Sequence, residues 1–296
     1  MLDSISDYCY PECLFTSPKF YQLNADKCDK IHIIKTQDLA IVIGLVDNKA
    51  YAPFSAPFTF LTSRKVNLKY SSYEAFFNQV KKDKELYGYT SLKITLPPDF
   101  YFSDMHAKIR CCLAASGFNP LYRDINSHFN LSDFEIEFLS NTAKKTIRAS
   151  GKHNHEIFCA KNDDEKKLVY DIIRRNRLSK GYPLRMTWEQ VKKTVDNVAR
   201  ANFFYVKTNE KYSASAIIFD ITDDISQVVY WGAVDEGETC KVMYFLPFEL
   251  VKIYKSRGKK ILDIGPCSEG GIVSQGLNDF KQMIGCINSV KETWEI

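Results

Sequence analysis

The sequence predicts an α/β (α+β) protein made of two mixed-sheet halves in tandem, packed as one unit. Two observations carry this reading. A group of strands followed by helix, strand and helix is written twice along the 296 residues. Within each group the strands follow one another at hairpin spacing, without the intervening helices that a wholly parallel sheet requires. The halves are expected at residues 1–139 and 140–296, the second including a linking helix.

The elements follow in order. Irregular, aromatic-rich sequence runs to about residue 30. IHIIKT (31–36) and LAIVIGLV (39–46) read as antiparallel strands, with Asp47-Asn48 turning into AYAPFSAPFTFL (50–61). Pro53 and Pro57 restrict that third stretch to an edge strand or a loop. SSYEAFFNQVKKDKELYG fits a helix capped by Ser71 or Ser72, with Phe76, Phe77 and Val80 as its apolar stripe. SLKITLPP (91–98) is a strand ended by prolines, and 104–116 a helix closed by Gly117. NTAKKTIRAS is the linking helix, with Lys144, Lys145 and Arg148 on its polar side, and HEIFCAK is a strand.

In the second half, residues 165–179 form a helix with Leu168, Val169, Ile172 and Ile173 inward. Thr187-x-x-Gln190 is a capping box for a helix presenting Trp188, Val191, Val195 and Val198 on one face. Three strands follow: NFFYVKT, YSASAIIFDI and SQVVYWGAV. The loop DEGETC leads to a helix at 242–257, with Pro247 near its first turn and Gly258 at its end. ILDIG is a strand, LNDFKQMI a helix and INSVKETWEI the last strand.

Composition narrows the function classes. With 45% hydrophobic and 26% charged residues the chain is an ordinary globular one. No apolar run approaches the roughly 18–20 residues of a membrane span, and MLDSISDYCYPEC lacks the apolar core of a signal peptide. The 9 cysteines show no C-x-x-C pair, so reduced thiols in a cytoplasmic protein are expected, with no bound metal. Residues 141–212 hold 17 Lys+Arg against 8 Asp+Glu, a local balance of +9 within a net charge of +4. Such a surface suits a phosphate-bearing cofactor or RNA, although lysines alternating with apolar residues also describe solvated helices.

Asp263, Gly265, Gly270 and Gly271 in ILDIGPCSEGG have the look of a methyltransferase cofactor loop. That loop must close the first strand of a parallel sheet, and only 31 residues follow Gly265. Three antiparallel strands, a loop, a helix, a strand, a helix and a final strand instead resemble the GNAT acetyltransferase layout. Gly276-Leu277, Phe280-Lys281 and Gly285 resemble the C-terminal signature of FemAB-related tandem-GNAT acyltransferases. APFSAPF (52–58) and the basic helix NTAKKTIRAS resemble further segments of the same group, so the likeness covers most of the chain.

The resemblance implies an acyltransferase in which an amine attacks a thioester or ester donor directly. The protein then supplies positioning, an oxyanion donor and a proton acceptor. No cofactor is held permanently, and acyl-CoA is the expected donor. The donor's phosphates are expected on Asp235, Gly237, Thr239, Cys240, Lys241 and Val242, although Glu236 and Glu238 sit where phosphates would approach. Lys281, Glu236 and Tyr230 are the catalytic candidates, with Lys281 expected at the edge of an apolar helix face made by Leu277, Phe280, Met283 and Ile284. There it would steady an oxyanion, and Lys281→Ala would fold normally. Ser268, Gly270, Gly271, Gln275 and Trp231 are the substrate-binding candidates, with helix capping as the alternative role of Ser268 and Gln275. Tyr230 and Trp231 alternate along a central strand, so one faces the core and the other the cleft. Cys267 has no histidine after His155 to activate it as a nucleophile. The expected partner is a small-molecule amine, with no DNA and with the chain a monomer or homodimer. The rival readings are a non-catalytic binding protein of the same fold and a transferase that uses aminoacyl-tRNA on the basic surface.

Overall fold

The structure is a computed structural model that describes residues 2–296, apart from the side chains of Leu2, Asp3, Asp235 and Glu236. From the amino end it comprises α1 (Pro18–Leu23), β1 (Lys30–Lys35), β2 (Leu39–Val46), β3 (Lys49–Ala52), β4 (Thr62–Ser63), α2 (Tyr70–Tyr87), β5 (Ser91–Thr95), α3 (Ser103–Ala115) and β6 (Asn119–Asn130). There follow α4 (Asn141–Ser150), β7 (His155–Cys159), α5 (Asp163–Ser179), α6 (Trp188–Asn197), β8 (Ala201–Thr208), β9 (Lys211–Asp220) and β10 (Ile225–Ala233). The chain continues through α7 (Asp235–Thr239), α8 (Leu246–Ser256), β11 (Ile261–Pro266), β12 (Ser268–Glu269), β13 (Ile272–Val273), α9 (Gln275–Met283) and β14 (Ile287–Glu295). The contacts divide the chain into unit 1 (Met1–Asn126, Ser268–Val273 and Ser289–Ile296) and unit 2 (Ser127–Cys267 and Ser274–Asn288). Residues 127–139, expected in the first half, thus belong to unit 2, and two late segments belong to unit 1.

In unit 1 the strands run in the order β1-β2-β3-β5-β14-β6, with β4 on β2. The β2–β3 turn places Asp47 at φ 48° and Asn48 at φ 59°, the left-handed pair that suits a two-residue hairpin. Ile41 and Ile43 of β2 pack with Phe76, Phe77 and Val80 of α2 and Leu113 of α3. Ala40 and Val42 pack on the other face with Ile5, Tyr8 and Tyr21. Burial on both faces explains the unbroken apolar run of β2. The capping expectation for α2 fails: its cap position is Lys69, and Ser72 Oγ instead donates to Asp38 Oδ2 at 2.8 Å.

In unit 2 the order is β6-β11-β10-β9-β8-β7. Val169, Ile172 and Ile173 of α5 are fully buried. A second cluster joins Phe204, Ile218, Val228 and Leu262 to Leu250, Val251 and Tyr254 of α8 and to Phe280 of α9. The capping box of α6 forms, with Gln190 N donating to Thr187 Oγ1 at 3.3 Å and Thr187 N to Gln190 Oε1 at 3.0 Å. The single helix expected at 242–257 is a short 3-10 turn, Val242–Tyr244, followed by α8 with Pro247 in its first turn.

Two glycines of the C-terminal motif differ in kind. A Cβ on Gly285, whose φ is +94°, would stand 2.7 Å from both Phe134 and Leu139. Gly276, the second residue of α9, would meet nothing within 4 Å. Gly276→Ala is therefore expected to stabilise the chain by about 0.5–1 kcal/mol through the unfolded state. A urea midpoint that moves upward at constant slope checks this.

Candidate active site

β10 carries the irregularity that builds the site. Its partners on β9 run Gln227↔Phe219 and Val228↔Ile218, then Tyr230↔Ile217 and Trp231↔Ala216, which leaves Val229 as an extra residue. A bulge of this kind shifts the phase of the side chains that follow it. Val228 and Trp231 consequently share the face that packs toward Phe280, with the Trp231 and Phe280 rings 6.4 Å apart. Tyr230 turns to the opposite face, where a backbone hydrogen bond links it to Met186. Gly232 lies on that face too: a Cβ there would stand 2.3 Å from Asn176 Oδ1, and Asn176 Nδ2 donates to the Ala233 carbonyl at 2.6 Å.

Beside the bulge two parallel strands part. β11 pairs with β10 only over Ile225↔Ile261, Ser226↔Leu262 and Gln227↔Asp263. Asp263 is fully buried at the last of these pairs, where Oδ2 accepts from Gln227 Nε2 at 2.7 Å. Its Oδ1 accepts from Gly265 N at 2.9 Å. Lys281 reaches from α9 to the next carbonyls and donates to Ile264 O at 3.2 Å, Gly265 O at 2.8 Å and Pro266 O at 3.0 Å. Buried backbone polar groups must find partners. At the end of β11 these are an aspartate and a lysine, where a neighbouring strand would ordinarily serve. Among the described residues no strand pairs with the β11-facing edge of β10 beyond Gln227. That edge can offer backbone N–H groups to a carbonyl placed in the gap.

Lys281 is therefore not at a solvated edge. It is 2% exposed, and burial lowers its pKa from the ordinary 10.5 despite the nearby Cys267, Cys286 and Asp263. Leu277, expected inward, is 39% exposed. Tyr230 is buried, and burial raises its phenol pKa, so at neutral pH it is a neutral hydroxyl and not a base. Cys267 is buried with its Sγ 3.0 Å from Ser127 Oγ.

The segment expected to hold the donor's phosphates has a different character. The five-residue α7 begins directly after Val234, without an extended glycine loop. A Cβ on Gly237 would stand 2.2 Å from the Ser213 carbonyl oxygen and 2.8 Å from Val242 Cγ1. Val242 is fully buried in the core, so it cannot touch a ligand. The carbonyl of Lys241 accepts from Ser150 Oγ at 2.9 Å, and its own φ is +56°. Thr239 is exposed and Cys240 half-buried. The side chains of Asp235 and Glu236 lie outside those described. Gly237 is thus a close-packing glycine. Gly237→Ala should cost about 2–3 kcal/mol because its obstacle is backbone, a loss readable in urea denaturation.

Ser268 also has a structural role in place of the expected substrate-binding or capping one. In unit 1 its hydroxyl donates to Asp124 Oδ1 at 2.8 Å and accepts from Ile125 N at 2.8 Å. Gly270 (φ +60°) and Gly271 (φ +83°) form the turn between β12 and β13, and Gly271 N donates to the same Asp124 oxygen at 3.0 Å. Gln275 is exposed at the start of α9, where Ser274 is the cap residue. Unit 1 also has a parallel pair, β3 with β5, over Lys49↔Ser91 to Ala52↔Ile94. There the chain's own next segment follows the strand end: Thr59 N donates to Thr95 O at 2.9 Å, and Phe58, Thr59 and Phe60 are buried.

Gln227, Asp263 and Asn176 build the site without belonging to any acyltransferase motif evident in the sequence. The available signal was a lone acid in the otherwise apolar strand ILDIG, which burial obliges to be paired.

No family model and no curated protein matches the sequence. Solved structures do. The crystal structure of FemX is similar with a TM-score of 0.67 and 11% identity, over 100% of this chain and 95% of that one. The C-terminal domain (DUF2156) of an Agrobacterium fabrum protein named as a lysylphosphatidylglycerol synthetase is similar with a TM-score of 0.61 and 9% identity, over 99% and 91%. A tandem GNAT protein from the clavulanic acid biosynthesis pathway gives 0.52 and 10%, over 88% and 78%. Among the described residues no helix is long and apolar enough to cross a membrane. The chain therefore has a tandem GNAT-like fold, similar to that of FemX along its whole length.

Proposed function

We propose that this protein is an N-acyltransferase whose donor carbonyl enters the gap between β10 and β11 of unit 2. The observation that carries the reading is the parting of these strands after Gln227↔Asp263, next to the bulge at Val229. The amine nitrogen attacks the acyl carbon, the C–O or C–S bond of the donor breaks, and the amine's proton leaves with the departing group. Backbone N–H groups of β10 hold the oxyanion, and Trp231 borders the acyl group. Lys281 acts as a positioning residue, since its ammonium is already shared among three carbonyls of β11.

The segment 235–243 favours an aminoacyl ester over acyl-CoA. It lacks a glycine-opened loop, Gly237 is pressed against Ser213, and Val242 is in the core. Aminoacyl-tRNA is then the donor, with the basic 141–212 stretch as its electrostatic footing. Part of that charge is already paired, as in Lys167–Asp171 and Lys192–Asp163. The β3–β5 end of unit 1, followed by its own Phe58–Phe60 segment, has no such role. The test is a two-arm assay with labelled aminoacyl-tRNA and acetyl-CoA, each with a panel of amines. Amine-dependent loss of the aminoacyl ester is expected. Turnover of acetyl-CoA alone would reverse the donor assignment, and binding of neither donor would favour the non-catalytic protein.

A further inference from the structure

Unit 1 holds a second charged cluster that the proposed chemistry does not use. Glu292 of β14 is buried, its side chain 1% exposed, and two arginines converge on it. Arg110 of α3 grips it side-on, with Nε 2.7 Å from Oε2 and Nη2 3.0 Å from Oε1. Arg123 of β6 gives only its Nε, 2.9 Å from Oε1. Trp294 Nε1 donates to Oε2 at 3.3 Å. The arginine side chains remain 45% and 58% exposed. A single buried carboxylate therefore fixes two guanidinium groups side by side at the surface, with the terminal nitrogens of Arg123 outside that pairing.

We propose that Arg110 and Arg123 form a binding site for a singly charged oxyanion, either a carboxylate or a phosphodiester. The charge count selects the class. Two guanidinium ions against one carboxylate leave one positive charge, which a monoanion neutralises and a dianion would exceed. Burial alone would raise the Glu292 pKa, but hydrogen bonds from Arg123 and the charge of Arg110 outweigh it and keep the carboxyl ionised. The neighbouring Asp124 is buried, its Oδ1 accepts from Ser268 and Gly271, and among the described residues no ion pair joins it to Arg110 or Arg123. Guanidinium forks suit oxyanions through paired N–H donors held in one plane. Holding the forks on Glu292 in advance reduces the side-chain ordering that binding would otherwise require. This site is independent of the acyl-transfer reading and stands or falls without it.

The experiment follows the arginine Nε–H resonances of the 15N-labelled full chain at constant ionic strength. The probes are acetate, dimethyl phosphate and, as a control, chloride. The expected result is a saturable shift of the Arg110 and Arg123 signals with one of the two oxyanions and none with chloride; which one saturates identifies the source. Arg123→Gln should weaken that binding about tenfold or more, the equivalent of one charge-assisted hydrogen bond. Glu292 keeps its side-on partner Arg110 in this variant, so the fold should survive. Arg123→Lys, which retains charge but loses the fork, should weaken binding by a smaller factor and carries the test if the glutamine variant does not fold. Shifts that never saturate, equal shifts with chloride, or wild-type binding by the variants would overturn the site and leave a purely structural ion cluster.

Discussion

Replacing Lys281 by Met is expected to destabilise unit 2 by about 3–5 kcal/mol, contrary to the near-neutral effect that the sequence suggests. The variant leaves the carbonyls of Ile264, Gly265 and Pro266 without their donor. A buried polar group that loses its partner costs about 1–3 kcal/mol. The methionine restores packing and not the hydrogen bonds, so partial relaxation keeps the total below the simple sum. Set against the roughly 5–15 kcal/mol that holds a domain together, this is a large fraction. The pH dependence supplies a second reading. Burial lowers the lysine pKa from 10.5 in the folded chain, so the unfolded chain binds that proton more tightly. Between the folded value and 10.5, unfolding takes up a proton, and this group makes stability rise with pH across that window. Lys281→Met should remove that rise. Urea denaturation of both proteins across the alkaline range measures both effects, and an unchanged midpoint would return Lys281 to the solvated surface.

A fragment of residues 1–139 is expected not to fold. It contains most of unit 1 but lacks Ser289–Ile296. Those residues pair with β5 through Thr293↔Thr95, Trp294↔Ile94 and Glu295↔Lys93. They also take Leu92 N onto Ile296 O and Leu96 N onto Glu292 O, each at 2.9 Å. Trp294 is 6% exposed in the same core as Phe77 and Leu113. Loss of a buried tryptophan alone costs about 3–5 kcal/mol, and the freed edge of β5 adds unpaired amides. The amide spectrum of the fragment should be collapsed. Sharp, dispersed resonances from 1–139 alone would contradict the shared C-terminal strand.

Elements with regular apolar spacing were legible in the sequence. The α2 stripe of Phe76, Phe77 and Val80 and the capping box of α6 follow from local patterns that tertiary packing reinforces. β6 was not legible, and its residues explain why. Its buried positions include Asp124, Asn126 and Ser127, and the partners of such polar groups lie far along the chain, as Ser268 does for Asp124 and Asn288 for Ser127. A strand with polar residues inside shows no hydrophobic alternation. The phase of Tyr230 and Trp231 was hidden for another reason: one inserted residue, Val229, sets it, and a bulge leaves no mark in an apolar run. Helical periodicity treats Lys281 as polar and sets it at the edge of the apolar face, whereas its partners are carbonyls more than ten residues earlier in the chain.

The measurement that bears most directly on the gap between β10 and β11 as the donor site is a map of backbone amide shifts as donor is added. A stable aminoacyl-tRNA analogue and acetyl-CoA would be titrated separately into labelled protein. Saturable shifts are expected for residues 228–233 of β10 and the Trp231 indole, extending to 263–267 at the end of β11. Saturable shifts elsewhere in the chain, with these residues unmoved, would contradict it.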